Sequence, residues 1–233
     1  MKKFFLFLVL CMFMGVSNSQ AQFVNSGSTG SIKSSSNGGF LKKMTTEDYN
    51  RFYVGYNPTK IRWDDGGDYW DLDTSFDSSV TLGYLHGSNI VKDVPLYLEW
   101  GANAQYTFGS SVDSDIYMLS VNAPVNLAFR FSFNNNDISV TPYLGVNFRV
   151  NILGEQDYDG EWSCNIFDDS DEEAAEYAAK RFQAGVNFGV GFSYKVLYLG
   201  VGYTADFTKF VNYKEDNFVG KLGVTTLTVG FNF

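Results

Sequence analysis

The chain has 233 residues, a formal charge of −9 and an aromatic content of 18%, which leaves room for one large domain and disfavours nucleic acid as a partner, since no basic patch offsets the charge. Its mean hydropathy is slightly negative, which excludes a bundle of membrane helices beyond the first segment but not a barrel, whose strands are only half apolar.

Residues 1–21 read as a signal peptide. Lys2 and Lys3 precede an apolar run from Phe4 to Val16, and Ser19-Gln20-Ala21 forms a small-residue cleavage site. The run is shorter than the ~20 residues a helix needs to cross a bilayer, so export rather than retention is expected. Loss of the two lysines takes the charge to about −11. Cys11 follows Leu10, where a lipidation signal would place a small residue, and Cys164 is then the single mature cysteine. It has no partner for an internal disulfide and reads as an unpaired loop cysteine. Residues 22–48, rich in Ser, Gly, Asn and Lys, read as a flexible arm.

From Arg51 the chain alternates with period two. The first strand sets Phe52, Val54 and Tyr56 against Tyr53, Gly55 and Asn57, and Trp63 to Ser75 reads as an acidic loop. In the second, Val80, Leu82 and Tyr84 oppose Ser79, Thr81 and Gly83, with an end expected near His86-Gly87. The third sets Leu96, Leu98, Trp100 and onward to Phe108 against Tyr97, Glu99, Asn103 and Gln105. The fourth runs from Tyr117 to Phe131 with Asn122, Pro124, Asn126 and Arg130 on its polar face. Asn134 to Asp137 is a turn by composition. The fifth, from Ile138 to Ile152, carries Tyr143, Asn147 and Arg149 on its polar face. Gly154 to Ala179 is the longest interruption and holds ten acidic residues; a short helix is expected over Asp168 to Lys180. The sixth strand, Phe182 to Phe192, the seventh, Leu197 to Phe207, and the last, Val219 to Phe233, repeat the pattern.

Eight such segments predict an all-β, eight-stranded antiparallel up-and-down barrel over residues 49–233, and the residue types predict that it is transmembrane. One face is Gly, Asn, Ser and Gln with few charges, as suits a crowded lumen. The other is Phe, Leu, Val and Tyr, which suits lipid and would aggregate in water. The connections after the first, third and fifth strands are generally the longer ones, and both chain ends fall on the periplasmic side of an outer membrane. Pro124 and Pro142 fall inside strands and are expected to mark bulges.

The terminal strand ending in Phe233, the Tyr117-to-Phe131 segment with its inward Pro124, and Pro142-Tyr143-Leu144-Gly145 resemble the eight-stranded outer-membrane barrels of the OmpA and OmpX type, often labelled porin-like. The resemblance covers roughly Arg51 to Phe233. It implies a bacterial outer-membrane location and an assembly signal at Phe231 and Phe233 read by the barrel-insertion machinery.

No catalytic or cofactor-binding constellation is evident. His86 is the only histidine, with Ser88 near it but no acid to complete a site, so no enzyme is expected. Asp157 to Glu161 and Asp168 to Glu173 offer oxygen ligands for calcium but match no full calcium-loop motif; solvated surface acids are the preferred reading and a metal stays open. Inside the barrel Glu99 and Arg130 are expected toward the periplasmic half and Arg149 and Asp206 toward the outer half, in ion pairs or a network. Tyr53, Tyr97, Tyr143 and Tyr198 join them in the lumen. The expected role is structural or surface-interactive, with lipid, the insertion machinery and an extracellular ligand or surface partner met through acidic, aromatic loops around a plugged lumen. The alternatives are a small-solute channel and a soluble secreted ligand-carrying barrel.

Overall fold

The computed structural model describes residues 47–64, 75–76, 78–111, 114–133, 137–158, 162–168, 178–213 and 218–233. The leader and the arm through residue 46 lie outside them, as do Asn134 to Asn136 and most of the acidic stretch.

Thirteen β segments are present: β1 (Tyr49–Tyr56), β2 (Thr59–Asp64), β3 (Ser75–Phe76), β4 (Ser78–Val91), β5 (Val94–Ser111), β6 (Ser114–Phe129), β7 (Phe131–Phe133), β8 (Ile138–Tyr158), β9 (Trp162–Asn165), β10 (Phe182–Tyr194), β11 (Leu197–Asp206), β12 (Val211–Tyr213) and β13 (Phe218–Asn232). They make eight barrel strands, because β2 continues β1 across Asn57-Pro58, β3 leads into β4, β7 continues β6 and β12 continues β11, while β9 is an added arm on β8. The hydrogen-bonded order is β1-β4-β5-β6-β8-β10-β11-β13, and β13 pairs back onto β1, so every neighbour is antiparallel and the ring closes. The seam sets Phe52 opposite Phe231 and Tyr56 opposite Leu227. Asn50 and Phe233 exchange two backbone hydrogen bonds of 2.9 Å there, and the rings of Phe52 and Phe233 stack at 5.6 Å. We call the end that carries Tyr49 and Phe233 the near end and the opposite one the far end.

Alternation decides the faces. Val186, Phe188 and Val190 of β10 point out and are exposed, whereas Gln183, Asn187 and Ser193 point in and are buried. Inward tyrosines need space that an eight-stranded barrel has only where a neighbour lacks a side chain. Tyr143 lies against Gly189 and Gly202, Tyr198 against Gly191 and Gly200, and Tyr53 against Gly83. At Gly202 an added Cβ would meet the Tyr143 hydroxyl at 2.2 Å, with the next side-chain atom of that ring at 3.3 Å. Gly202→Ala is therefore expected to destabilise the barrel by about 1–3 kcal/mol through overpacking. Tyr143→Phe, by removing the clashing oxygen, is expected to restore much of that loss. Urea midpoints of the single and double variants check it; a double variant no more stable than Gly202→Ala alone would contradict the packing described.

Several sequence expectations need correction. The first strand runs on to Asp64, the second to Val91 and the fifth to Tyr158, so Trp63, His86 and Gly154 lie in strands rather than in loops or turns. Cys164 stands in β9, half-exposed and free. Pro124 and Pro142 mark no bulge: the β6–β8 and β8–β10 registers run through them unshifted. Pro124, which has no N–H to donate, falls in a gap of the β5–β6 ladder, between the Trp100–Val125 and Asn103–Asn122 pairs, so its cost is a local break in pairing without a change of register. The register shifts lie elsewhere. Leu119 faces Leu153 while Ser120 faces Asn151, leaving Ile152 as the extra residue, and a second shift falls between Asn89 and Val91. Beyond Ile152 the parity of β8 inverts and Gly154 turns inward, buried. Of the expected helix, residues 169–177 lie outside the described residues, and Asp168 and Ala178 to Lys180 are not helical.

Candidate functional site

The polar interior is the candidate site, and it is layered along the barrel axis. At the near end Arg51 of β1 lies 4% exposed, its Nη1 3.4 Å from Glu99 Oε1 on β5. Its Nε donates to Asn232 Oδ1 at 2.9 Å, and its guanidinium lies 3.6 Å from the centre of the Tyr198 ring. Tyr49 donates its hydroxyl to Glu99 and meets Tyr97 edge-on at 5.2 Å. A buried cation here is held by charge, a hydrogen bond and an aromatic face together, which offsets its desolvation.

The middle layer is built of amides. Asn122 donates to Asn103 Oδ1 at 2.9 Å, Asn147 donates to Asn122 Oδ1 at 3.2 Å, and Asn187 donates to Asn126 Oδ1 at 2.8 Å. Tyr53 accepts from Asn103 at 3.1 Å. These groups, with Arg51, Glu99 and Arg149, line a cavity of about 90 Å³, room for a handful of waters at roughly 10–15 Å³ each.

Toward the far end Arg149 of β8 and Asp206 of β11 form a pair at 2.9 Å, both side chains almost fully buried, and Arg149 Nε also donates to Asn122 Oδ1 at 3.0 Å. Ser120, Asn151 and Gln183 continue the network, with Ser120 donating to Asn151 at 2.7 Å and Asn151 to Gln183 at 2.6 Å. Above them the chemistry changes. Met118 and Leu222 point inward and pack with Phe167, Ala179, Phe210 and Val211 in one apolar cluster, joined by Ile61, Ile116 and Ile166. The segment after β9 is tied in place by backbone bonds from Ile166 to Gly154, Ala179 to Ile166 and Lys180 to Phe210. Gly154 leaves the room: an added Cβ would lie 2.3 Å from the Phe167 ring.

Of the expected lumen charges, Glu99, Arg149 and Asp206 are buried inside, and Arg149 and Asp206 are brought together. Arg130 is not joined to Glu99. It is half-buried, bonds Ser139 Oγ at 3.2 Å, lies 5.1 Å from the Tyr49 ring and has no carboxylate partner among the described residues. Glu99 pairs instead with Arg51, which shares the parity of Tyr53 but stands near the start of its strand. Tyr97 and Tyr198 are buried, and Tyr53 and Tyr143 half-buried, all facing in. Phe231 and Phe233 lie on the outer wall, more than half exposed. His86 faces out from β4, bonded to Asn50 Oδ1 and Ser88 Oγ at 2.9 Å each and edge-on to Trp100. Among the described residues no group of three His, Cys, Asp or Glu is arranged to hold a metal.

No family model matches the chain, nor does any curated protein. Among solved structures it is similar to the attachment invasion locus protein Ail of Yersinia pestis at 16% identity, over 80% of this chain and 99% of that one, with a TM-score of 0.39. Neisserial surface protein A gives 15% identity, 79% and 95% coverage and a TM-score of 0.43. The outer-membrane protein OprG of Pseudomonas aeruginosa gives 14%, 80% and 95%, and 0.44. Similarity this distant carries no argument about what the chain binds or does.

Proposed function

We propose that the chain is an integral outer-membrane barrel with a plugged lumen, serving as a scaffold that presents its far-end loops as an interaction surface. The observation that carries this is the inversion of polarity across the wall. Val54, Leu144, Leu199, Val229 and Phe231 are each more than half exposed on the outside, while Asn151, Gln183, Glu99 and Asp206 lie at 0–1% exposure inside. A soluble barrel would place these two sets the other way round, because a continuous apolar outer wall has no stable contact with water. Helices long and apolar enough to cross a membrane are absent among the described residues, and closed barrels cross with strands, which leave no unpaired edge in lipid. The plug is supported by three stacked layers of unlike chemistry: the Arg51–Glu99–Tyr49 group, the amide cluster and the apolar cluster of Met118, Leu222 and Phe167.

Spin labels at Val186 and Asn187 in protein refolded into phospholipid vesicles test the membrane part of this reading. Strong access of lipid-dissolved oxygen is expected at residue 186 and weak access at 187; equal access at the two would contradict it.

A further inference from the structure

On the outer wall at the near end, three polar side chains stand in a row. His86 and Ser88 share one face of β4, and Asn50 of β1 lies opposite His86 in the β1–β4 ladder. His86 Nε2 is 2.9 Å from Ser88 Oγ, and His86 Nδ1 is 2.9 Å from Asn50 Oδ1. A carbonyl oxygen only accepts, so Nδ1 carries the imidazole proton and Nε2 turns its lone pair to the Ser88 hydroxyl. Tyr84 also donates to Asn50 Oδ1, at 2.6 Å, and its ring packs on Phe52, which stacks on Phe233. The amide oxygen is therefore fixed by two donors. This is the order of a serine nucleophile, a general base and the group that orients the base. The acid that the sequence lacks beside His86 is replaced by an amide drawn in from another strand.

The surroundings select the substrate. All three side chains are half-buried, and the wall around them is apolar: Trp100, opposite His86 on β5, is 51% exposed, Phe233 51% and Ile90 48%. Ser88 stands shortly before the turn at Lys92-Asp93 that ends β4. In a membrane-spanning barrel this margin of the apolar wall is the level of the aromatic belt, where the ester groups of lipids join their headgroups to their chains. A glycerophospholipid can lay its chains along the wall and present its ester carbonyl to Ser88, whereas a water-soluble ester reaches this face only by partitioning.

Resting on the reading that the barrel spans the membrane, we propose that Ser88, His86 and Asn50 form an acyl-ester hydrolase site for glycerophospholipids of the leaflet around the near end. Ser88 Oγ attacks the ester carbonyl carbon as His86 Nε2 takes its proton. The bond from that carbon to the glycerol oxygen then breaks, and His86 returns the proton to the departing oxygen, leaving a lysophospholipid and an acyl-Ser88. Water attacks the acyl carbon and gives its proton to His86; the bond to Ser88 Oγ breaks, the serine recovers the proton and a fatty acid leaves. Asn50 is a positioning residue that holds the tautomer and the ring.

The test uses the mature full-length protein refolded into phosphatidylglycerol vesicles, its insertion confirmed by heat-modifiable migration, with released fatty acid and lysophospholipid read by mass spectrometry. An alkyl fluorophosphonate, which phosphonylates activated serines, is the second probe. Wild type is expected to release the two products in equal amount and to take the label on Ser88. Ser88→Ala and His86→Gln are expected to lower the release about 10³-fold or more and to abolish labelling. Asn50→Ala is expected to lower the rate at saturating lipid, and Asn50→Asp, whose carboxylate accepts the same hydrogen bond, to restore most of it. Ser78→Ala, on the outer wall toward the far end of the same strand beside Tyr56, is expected to leave the rate unchanged. Inserted wild type that neither releases products nor takes the label overturns the proposal, as does release that survives Ser88→Ala or a label on another serine. Labelling of Ser88 without phospholipid cleavage overturns the lipid assignment. Failure of the wild type to insert would count instead against the membrane reading itself.

Discussion

Replacing Arg149 with methionine is expected to cost about 3–5 kcal/mol of barrel stability, because it leaves the Asp206 carboxylate buried without its countercharge. The environment makes this the most sensitive interior position. Both side chains are at most 3% exposed, Asp206 Oδ1 has no hydrogen-bond partner in the structure, and Arg149 Nε also supplies Asn122. Arg149→Met with Asp206→Leu removes the orphaned charge and is expected to recover a large part of the loss. Urea unfolding in vesicles, followed by tryptophan fluorescence and heat-modifiable migration, measures both. A single variant within about 1 kcal/mol of wild type, or a double variant as unstable as the single, would show that the pair is not the buried unit described here.

On the opposite side of the wall, Val186→Arg is expected to cost about 2–4 kcal/mol if it sits near the bilayer midplane. Val186 lies on β10, between β8 and β11, pairs with Val146 and Ala205 and is 43% exposed on the apolar face. Arginine there must face lipid or distort the wall to escape it. The same urea series reads the effect, with a polar substitution at the neighbouring Asn187 as the inward comparison free of any lipid penalty. Equal losses at the two positions would contradict the assignment of faces.

The faces of the wall were legible because a barrel strand repeats one binary choice many times, and the types at Glu99, Arg149, Asp206 and the four tyrosines fall on the right parity without knowledge of any partner. What escaped was what does not repeat. The bulge at Ile152 is silent in sequence because Ile152 and Leu153 are both apolar, so an inserted residue leaves no break in hydrophobicity. Prolines at 124 and 142 looked like bulge signals, yet no residue is inserted at either. Arg51 read as the edge of a pattern rather than part of it. The apolar far-end cluster draws Met118, Phe167, Phe210 and Leu222 from four separate segments, a tertiary assembly with no period to find.

The central claim is a membrane barrel whose interior is filled, and planar-bilayer recording on refolded, heat-modifiable protein tests it most directly. At neutral pH the account predicts no steady conductance from the wild type, and none from Glu99→Ala, which should lose stability through the exposed need of Arg51 and Tyr49 for a partner without opening a path past the amide and apolar layers. Stable single-channel steps from the wild type would contradict it.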